Sequence, residues 1–229
     1  MKYQILLCDI DDTLFDFHRG EHIALGQTFA HFGIADTPEN REAYLRANAE
    51  QWKKLERGET TQKELRVDRF RGFLAYAHLE GDAEALSEDY IQTLGQQRIP
   101  LEGAVELCET VSRRMPIYLV TNGITRIQKS RMKGSAVEPY VTGMVISEEL
   151  GVSKPDPAMV LEALAQAGVD DLSRVILLGD SITSDIGAAN NAGVDSILFT
   201  NGREIPDGHP ATYAVKTLKE AAEIILQEK

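Results

Sequence analysis

Apolar and polar positions follow two rhythms along this chain. The first is a short unbroken run, Ile5-Leu6-Leu7-Cys8, that stops at Asp9-Ile10-Asp11-Asp12-Thr13. Four apolar residues bounded by acids predict a buried strand whose C-terminal end opens into a polar site. After Leu14 the rhythm becomes helical for roughly eighty residues. Ile23, Leu25, Phe29 and Phe32 recur at helical spacing up to Gly33, which suits a helix end. Thr37-Pro38 predicts an N-cap and first turn, and Tyr44, Leu45, Trp52 and Leu55 follow, with Gly58 as the stop. Phe70, Phe73, Leu74 and Ala77 predict a third helix, and Ser87 is the expected cap of a fourth carrying Ile91 and Leu94.

From Ile99-Pro100 onward, strand and helix patterns alternate. A helix over about Ala104 to Arg114 precedes a strand at Ile117-Tyr118-Leu119-Val120. Further strands are expected at Met144-Val145-Ile146, Val175-Ile176-Leu177-Leu178 and Ile197-Leu198-Phe199. Helices intervene, one opening at Pro157, and the last carries Leu218, Ala222, Ile225 and Leu226. Alternation of this kind predicts βαβ units and a mostly parallel sheet. The fold class expected is α/β: a doubly wound, Rossmann-like core built from residues 1–14 and 99–229, with an all-α cap, residues 15–98, inserted after the first strand.

Composition narrows the function classes. With 24 basic against 36 acidic residues the formal charge is −12. No basic stripe appears, so a nucleic-acid polymer is not an expected partner. A phosphorylated ligand would need local positive charge or a metal on so acidic a protein. No segment reaches the roughly 20 apolar residues of a membrane span, and the N-terminal run lacks a signal-peptide cleavage site. Two distant cysteines, Cys8 and Cys108, form no disulfide framework and fit a reducing compartment. A soluble, cytoplasmic protein without a membrane partner, monomeric or a small homo-oligomer, is expected. Cys108 and Arg114 have the spacing of thiol phosphatases, but no glycine lies between them and the pattern there is helical, so that chemistry is set aside.

The candidate chemistry sits at strand ends. The first strand ends at Asp9 and Asp11, and the second at Thr121-Asn122-Gly123. The fourth ends at Gly179-Asp180, with Asp185 five positions on. Lys154 lies in Val152-Ser153-Lys154-Pro155-Asp156-Pro157, where Pro155 restricts the lysine's backbone and Pro157 suits a helix start. Parallel strands bring their C-terminal ends to one edge, so these groups can converge there. Each also has a plain alternative: an Asn-Gly turn, a loop lysine, or acids favouring a helix N-terminus. Crowded carboxylates such as Asp9 and Asp11 call for a cation between them or a retained proton.

In order and spacing these residues resemble the haloacid dehalogenase-like (HAD) superfamily over essentially the whole chain. Asp9-Ile10-Asp11-Asp12-Thr13 resembles its first motif, Thr121 with Asn122 its second, Lys154 its third, and Gly179-Asp180 through Asp185 its acidic fourth. The helical insert is similar to the type-one cap. The resemblance implies a phosphohydrolase in which Asp9 is the nucleophile and Asp11 the proton shuttle. Thr121, Lys154 and the backbone N–H groups of the Asn122-Gly123 turn would bind phosphate oxygens. Magnesium would be held by Asp9, the backbone carbonyl of Asp11 and Asp180, with Asp185 supporting the metal shell or Lys154. The superfamily's dehalogenases lack the second acid, so Asp11 argues against dehalogenation.

Cys-Asp-Ile-Asp-Asp-Thr-Leu-Phe-Asp-Phe, Leu-Val-Thr-Asn-Gly-Ile and Gly-Asp-Ser-Ile-Thr-Ser-Asp-Ile are further similar to the YjjG/YfnB-type pyrimidine 5′-nucleotidases. That likeness implies a nucleoside monophosphate as substrate. Alternatives carrying similar motifs are a sugar-phosphate or small-acid-phosphate phosphatase and a β-phosphoglucomutase-like phosphotransferase. A receiver-like regulator is disfavoured by the long insert and by Asp9 and Asp11 sharing one strand. Trp52, Phe70 and Phe73 have the chemistry to stack a base, although their helical spacing favours cap core. His18, Arg19 and Glu21 lie near the exit into the insert, where a substrate could be faced, and are not counted as site residues.

Overall fold

In the computed structural model, which describes residues 1–227, six parallel strands form one sheet. They are β1 (Ile5–Cys8), β2 (Ile117–Thr121), β3 (Gly143–Ile146), β4 (Val175–Gly179), β5 (Asp195–Phe199) and β6 (Tyr213–Val215), in spatial order β3-β2-β1-β4-β5-β6. The chain therefore winds outward from β1 to β3, returns to the far side of β1 and winds outward again. The reversal lies between β1 and β4, which pair directly from Ile5 opposite Val175 to Cys8 opposite Leu178. In a doubly wound sheet this is where a crevice opens at the strands' C-terminal ends.

Strand periodicity divides the core in two. Leu6, Cys8, Leu119, Ile176, Leu178, Ile197 and Phe199 face helices α5 (Ala104–Ser112) and α10 (Leu218–Ile225). Ile5, Leu7, Val120, Val175 and Leu177 face α8 (Ala158–Ala167) and α9 (Gly187–Ala192). Covering both faces explains why the strands read as continuous apolar runs rather than alternations. Cys108 is buried in the first of these layers, and burial pushes its thiol up to about 12. A thiol so held is inert as a nucleophile.

Four helices fill the interval between β1 and β2: α1 (Phe17–His31), α2 (Pro38–Glu56), α3 (Gln62–Tyr76) and α4 (Ala83–Gly95). They enclose a separate cluster including Leu25, Phe29, Tyr44, Phe70, Phe73, Tyr90 and Leu94. Phe73 stacks on Phe29 at 5.1 Å between ring centroids, and Phe70 packs against Tyr44 and Tyr90. Phe70 and Phe73 are thus core rings with no face free for a base, while Trp52 is only half-buried. The chain leaves and re-enters this block through adjacent segments. Phe15 bridges Pro100, and Asp16 N–H donates to the Ile99 carbonyl at 2.9 Å.

Thr37 caps α2 ahead of Pro38, as its sequence predicts, and Thr61 forms a capping box with Glu64 on α3. The fourth helix starts earlier than Ser87. Asp82 is its cap, accepting from the backbone of Glu84 and Ala85, and Ser87 is buried one turn inside. The three-residue edge strand β6 is an addition to the expected sheet; a run this short has too little apolar pattern to stand out. Two short helices complete the core, α6 (Thr125–Met132) and α7 (Ser147–Leu150). Among the described residues no helix is long and apolar enough to cross a membrane.

Candidate active site

β1 ends at Cys8, and the next backbone N–H, that of Asp9, still pairs with the Leu178 carbonyl at 2.9 Å. This fixes Asp9 at the switch point, only 6% exposed. Thr13 Oγ1 donates to Asp9 Oδ2 at 3.3 Å. From the loop after α7, the Lys154 ammonium reaches three acceptors at 2.6 Å each: Asp9 Oδ1, Asp185 Oδ1 and the Val120 carbonyl. Burial alone would drive the proton off this amine, but Asp185 and Asp9 outweigh it, and the pKa of Lys154 is raised. Asp9 has to share that single cation with Asp185, and its own pKa is raised, chiefly by burial.

Asp185 is positioned by a π-helical turn, Ile182–Ile186, capped by Ser181. The Ser181 backbone N–H also donates to Asp185 Oδ2 at 3.0 Å. A Cβ at Gly179 would lie 2.3 Å from Asp185 Cγ, so the residue ending β4 has no space for a side chain. Asp180 follows directly. Burial pushes its carboxyl up to about 7, with Asp185 and Asp12 adding to the rise and Arg203 and Lys154 opposing it.

Asp9, Asp180 and Asp185 each offer an oxygen, all within 4.8 Å of one another. Lys154 supplies one positive charge against the three carboxylates, and Arg203 stands 3.9 Å from Asp180. An oxygen-only donor set with excess negative charge fits a hard divalent cation.

The remaining expected residues lie around this centre. Asn122 Oδ1 accepts from the Lys154 backbone N–H at 2.7 Å, and its Nδ2 donates to the Lys154 carbonyl at 2.8 Å. The Asn122 side chain thus holds the lysine's backbone. Gly123 has its own steric reason: a Cβ there would come within 2.5 Å of Gln128 Nε2. Gln128, on α6, donates to Thr121 Oγ1 at 2.9 Å and to Asp11 Oδ2 at 2.7 Å. Arg131, one turn on and 1% exposed, pairs with the other oxygen of Asp11. It stacks over the Phe15 ring and donates from Nε to the Gln97 carbonyl. The Asp11 carboxylate is therefore turned toward α6, outside the cluster formed by Asp9, Asp180 and Asp185. Asp12 adopts a positive φ of 59° and accepts from the backbone of Phe17 at the start of α1.

Gln128, Arg131 and Arg203 do not stand out in the sequence as site residues. The available signal is position: two polar residues at i, i+3 on the helix following Thr121, and an arginine just past the end of β5.

A model of the haloacid dehalogenase-like hydrolases matches residues 3–193. The pyrimidine 5′-nucleotidase PynA of Streptococcus pneumoniae is 37% identical over 87% of this chain and 84% of its own length. The pyrimidine 5′-nucleotidase YjjG of Escherichia coli is 32% identical over 98% of this chain and 99% of its own. The crystal structure of the putative HAD-hydrolase YfnB of Bacillus subtilis, bound to magnesium and revealing interdomain movement, superimposes with a TM-score of 0.89. It is 28% identical and covers 99% of this chain and 100% of that one. With a family model spanning most of its length and relatives alike from end to end, this chain belongs to the haloacid dehalogenase-like hydrolases and is an enzyme of that family.

Proposed function

We propose that the enzyme is a magnesium-dependent phosphomonoester hydrolase whose substrate is a nucleoside 5′-monophosphate with a pyrimidine base. The observation that carries the reaction is the placement of Asp9 at the β1–β4 switch point, bonded to Lys154 beside Asp180 and Asp185. The names of PynA and YjjG support the substrate.

Asp9 attacks phosphorus through a carboxylate oxygen, and the bond from phosphorus to the nucleoside's 5′-oxygen breaks. Asp11 gives that oxygen a proton. It then takes one from the water that attacks the aspartyl-phosphate, so phosphate leaves and Asp9 is restored. Both Asp11 oxygens accept hydrogen bonds from α6. That suits the carboxylate of the second step, whereas the first requires one of these partners to give way to the leaving oxygen. Lys154, Thr121 and the backbone N–H groups at Asn122 and Gly123 hold the phosphate oxygens. Asp9, Asp180 and the Asp11 carbonyl would hold magnesium, with Asp185 supporting it; when bound, it neutralises charge on the transferring phosphate. Residues 15–98 act as the cap that selects the leaving group, closing to exclude water. Movement between domains in YfnB supports that role.

The test is a screen of nucleoside, hexose and small-acid phosphates with and without magnesium. Turnover of UMP or dUMP that requires the metal is the expected result. Strong turnover of hexose phosphates with none of UMP or dUMP would overturn the substrate, and turnover unaffected by metal removal would overturn the cofactor.

A further inference from the structure

Within the helical block lies a buried polar cluster that the chemistry above leaves unused. Arg69, on α3, is 3% exposed, yet its Nε and Nη2 have no hydrogen-bond partner among the described residues. Its Nη1 donates to Asn48 Oδ1 on α2 at 3.4 Å. Asn48 Nδ2 reaches on to Glu21 Oε1, on α1, also at 3.4 Å, and the Tyr90 hydroxyl donates to that same oxygen at 3.2 Å. The guanidinium lies 4.7 Å from the centre of the Tyr90 ring. Arg69 and Glu21 feel each other's charge but form no ion pair among the described residues. Gln51, one turn beyond Asn48 on α2, adds a buried Oε1 without a partner among the same residues.

Buried polar groups in folded proteins are nearly always satisfied, and an unpaired buried charge is the costliest exception. A cluster serving stability alone would close Arg69 onto Glu21. Here a two-pronged donor and a carboxylate are instead held apart, with Asn48 between them. Asn48 is only partly buried, so the cluster reaches solvent through it.

The cluster also faces the chemistry. Gln62, Arg66 and Arg69 recur at i, i+4, i+7 and so share one side of α3. Gln62 Nε2 donates to Ser147 Oγ at 2.7 Å, and Arg66 pairs with Glu148 at 3.7 Å. Both partners lie immediately beyond the C-terminal end of β3, on the catalytic edge. From the other direction, Glu21 lies near His18 and Asp12, and His18 Nε2 stands 3.3 Å from Asp12 Oδ2, three residues past the nucleophile.

We infer that Arg69, Glu21 and Gln51 form the subsite for the pyrimidine base, an inference that rests on the nucleotide reading of the site. The unpaired donors of Arg69 match the acceptor atoms of a pyrimidine edge: O2 and N3 of cytosine, or a carbonyl of uracil. Glu21 and the Gln51 oxygen match what that edge donates, the amino group of cytosine or N3–H of uracil. A base-free sugar phosphate would leave Arg69 Nε and Nη2 and the Gln51 oxygen as they stand, without partners among the described residues.

The experiment compares kcat/KM for UMP, CMP and ribose 5-phosphate in the wild type, Arg69→Met and Glu21→Gln. The wild-type preference for nucleotide over ribose 5-phosphate falls roughly 10–100-fold in Arg69→Met, mainly through KM, as expected for loss of charge-assisted hydrogen bonds. Glu21→Gln, nearly the same shape, changes the CMP-to-UMP ratio several-fold. If Arg69→Met weakens the fold, both substrate types fall together and Glu21→Gln decides. Unchanged nucleotide preference and an unchanged CMP-to-UMP ratio would overturn the subsite. A wild type that treats UMP, CMP and ribose 5-phosphate alike would instead overturn the nucleotide reading, and the subsite with it.

Discussion

Replacing Lys154 by Met tests the electrostatic core of the site. The lysine is nearly inaccessible and makes three hydrogen bonds at 2.6 Å, two of them to the buried carboxylates Asp9 and Asp185. Methionine keeps most of the volume and removes the charge, leaving two carboxylates and the Val120 carbonyl without their common donor. Removing one partner of a buried pair typically costs about 3–5 kcal/mol, because the remaining charge has lost its compensation. With a urea slope of about 2–3 kcal/mol per molar for a chain this size, the unfolding midpoint falls by roughly 1–2.5 M. Two dependences identify the cause. The deficit shrinks in saturating magnesium, since a dication among the same carboxylates supplies the missing charge. It also shrinks on acidification. A carboxyl whose pKa is raised in the folded state, as burial raises Asp9, destabilises fully above that folded value. The penalty lifts as pH falls through it toward the unfolded value of about 3.9. A loss below about 1 kcal/mol, indifferent to magnesium and pH, would refute the reasoning.

Other consequences can be measured directly. Asp9→Asn abolishes magnesium-dependent phosphomonoester hydrolysis while the circular dichroism spectrum is unchanged; residual turnover near the wild-type rate would remove Asp9 from the nucleophile's role. Magnesium binding releases protons near neutrality, because the Asp180 carboxyl sits at about 7 in the free protein and must be ionised to bind. Calorimetric titration at pH 7 in two buffers of different ionisation heat then reads about half a proton from Asp180, fewer at pH 8, and identical heats in both buffers would contradict this. Gly179→Ala forces Asp185 aside, since the new Cβ lands 2.3 Å from its Cγ; a loss of about 1–3 kcal/mol in urea unfolding accompanies weaker magnesium binding, and wild-type values for both would show that the turn yields freely.

Legibility from sequence followed how local each signal is. The strands β1, β2, β4 and β5 are apolar runs buried on both faces, so their composition announces them. Asp9, Asp11, Thr121, Lys154, Asp180 and Asp185 lie at or near element ends, where polar residues break an apolar pattern. Thr37 caps its helix through an atom three residues away. The start of α4 was harder, because Asp82 and Ser87 are both good caps and the choice rests on how the helix packs. Asn122 shows the limit more clearly. Its residue type and position mark a turn at a strand end, while its side-chain amide bonds both sides of the Lys154 peptide backbone, 32 positions away in sequence. Nothing in the local pattern specifies that pairing. The same holds for Arg131 and Asp11, 120 positions apart, and for Arg69 and Glu21, which meet through an asparagine on a third helix.

Helix α6 joins these two kinds of information. By chain order it belongs to the sheet domain, since it follows β2. Ile127 and the capping residue Ile124 nevertheless pack into the cluster enclosed by α1 to α4, and its polar residues Gln128 and Arg131 hold Thr121 and Asp11. Arg131 also bonds the Gln97 carbonyl, where the chain returns from the helical block. One short helix is thus fastened to the block on one side and to Asp11 on the other. At this helix, a shift of the block relative to the sheet is either absorbed at Ile124 and Ile127 or passed to the two side chains that hold Asp11. The side chains of Asp9, Lys154 and Asp185 carry no such link: among the described residues their hydrogen bonds run among residues 9, 13, 120, 154, 181 and 185. The geometry therefore separates a charge centre built on the sheet from Asp11, a carboxylate whose partners are shared with the helices above it.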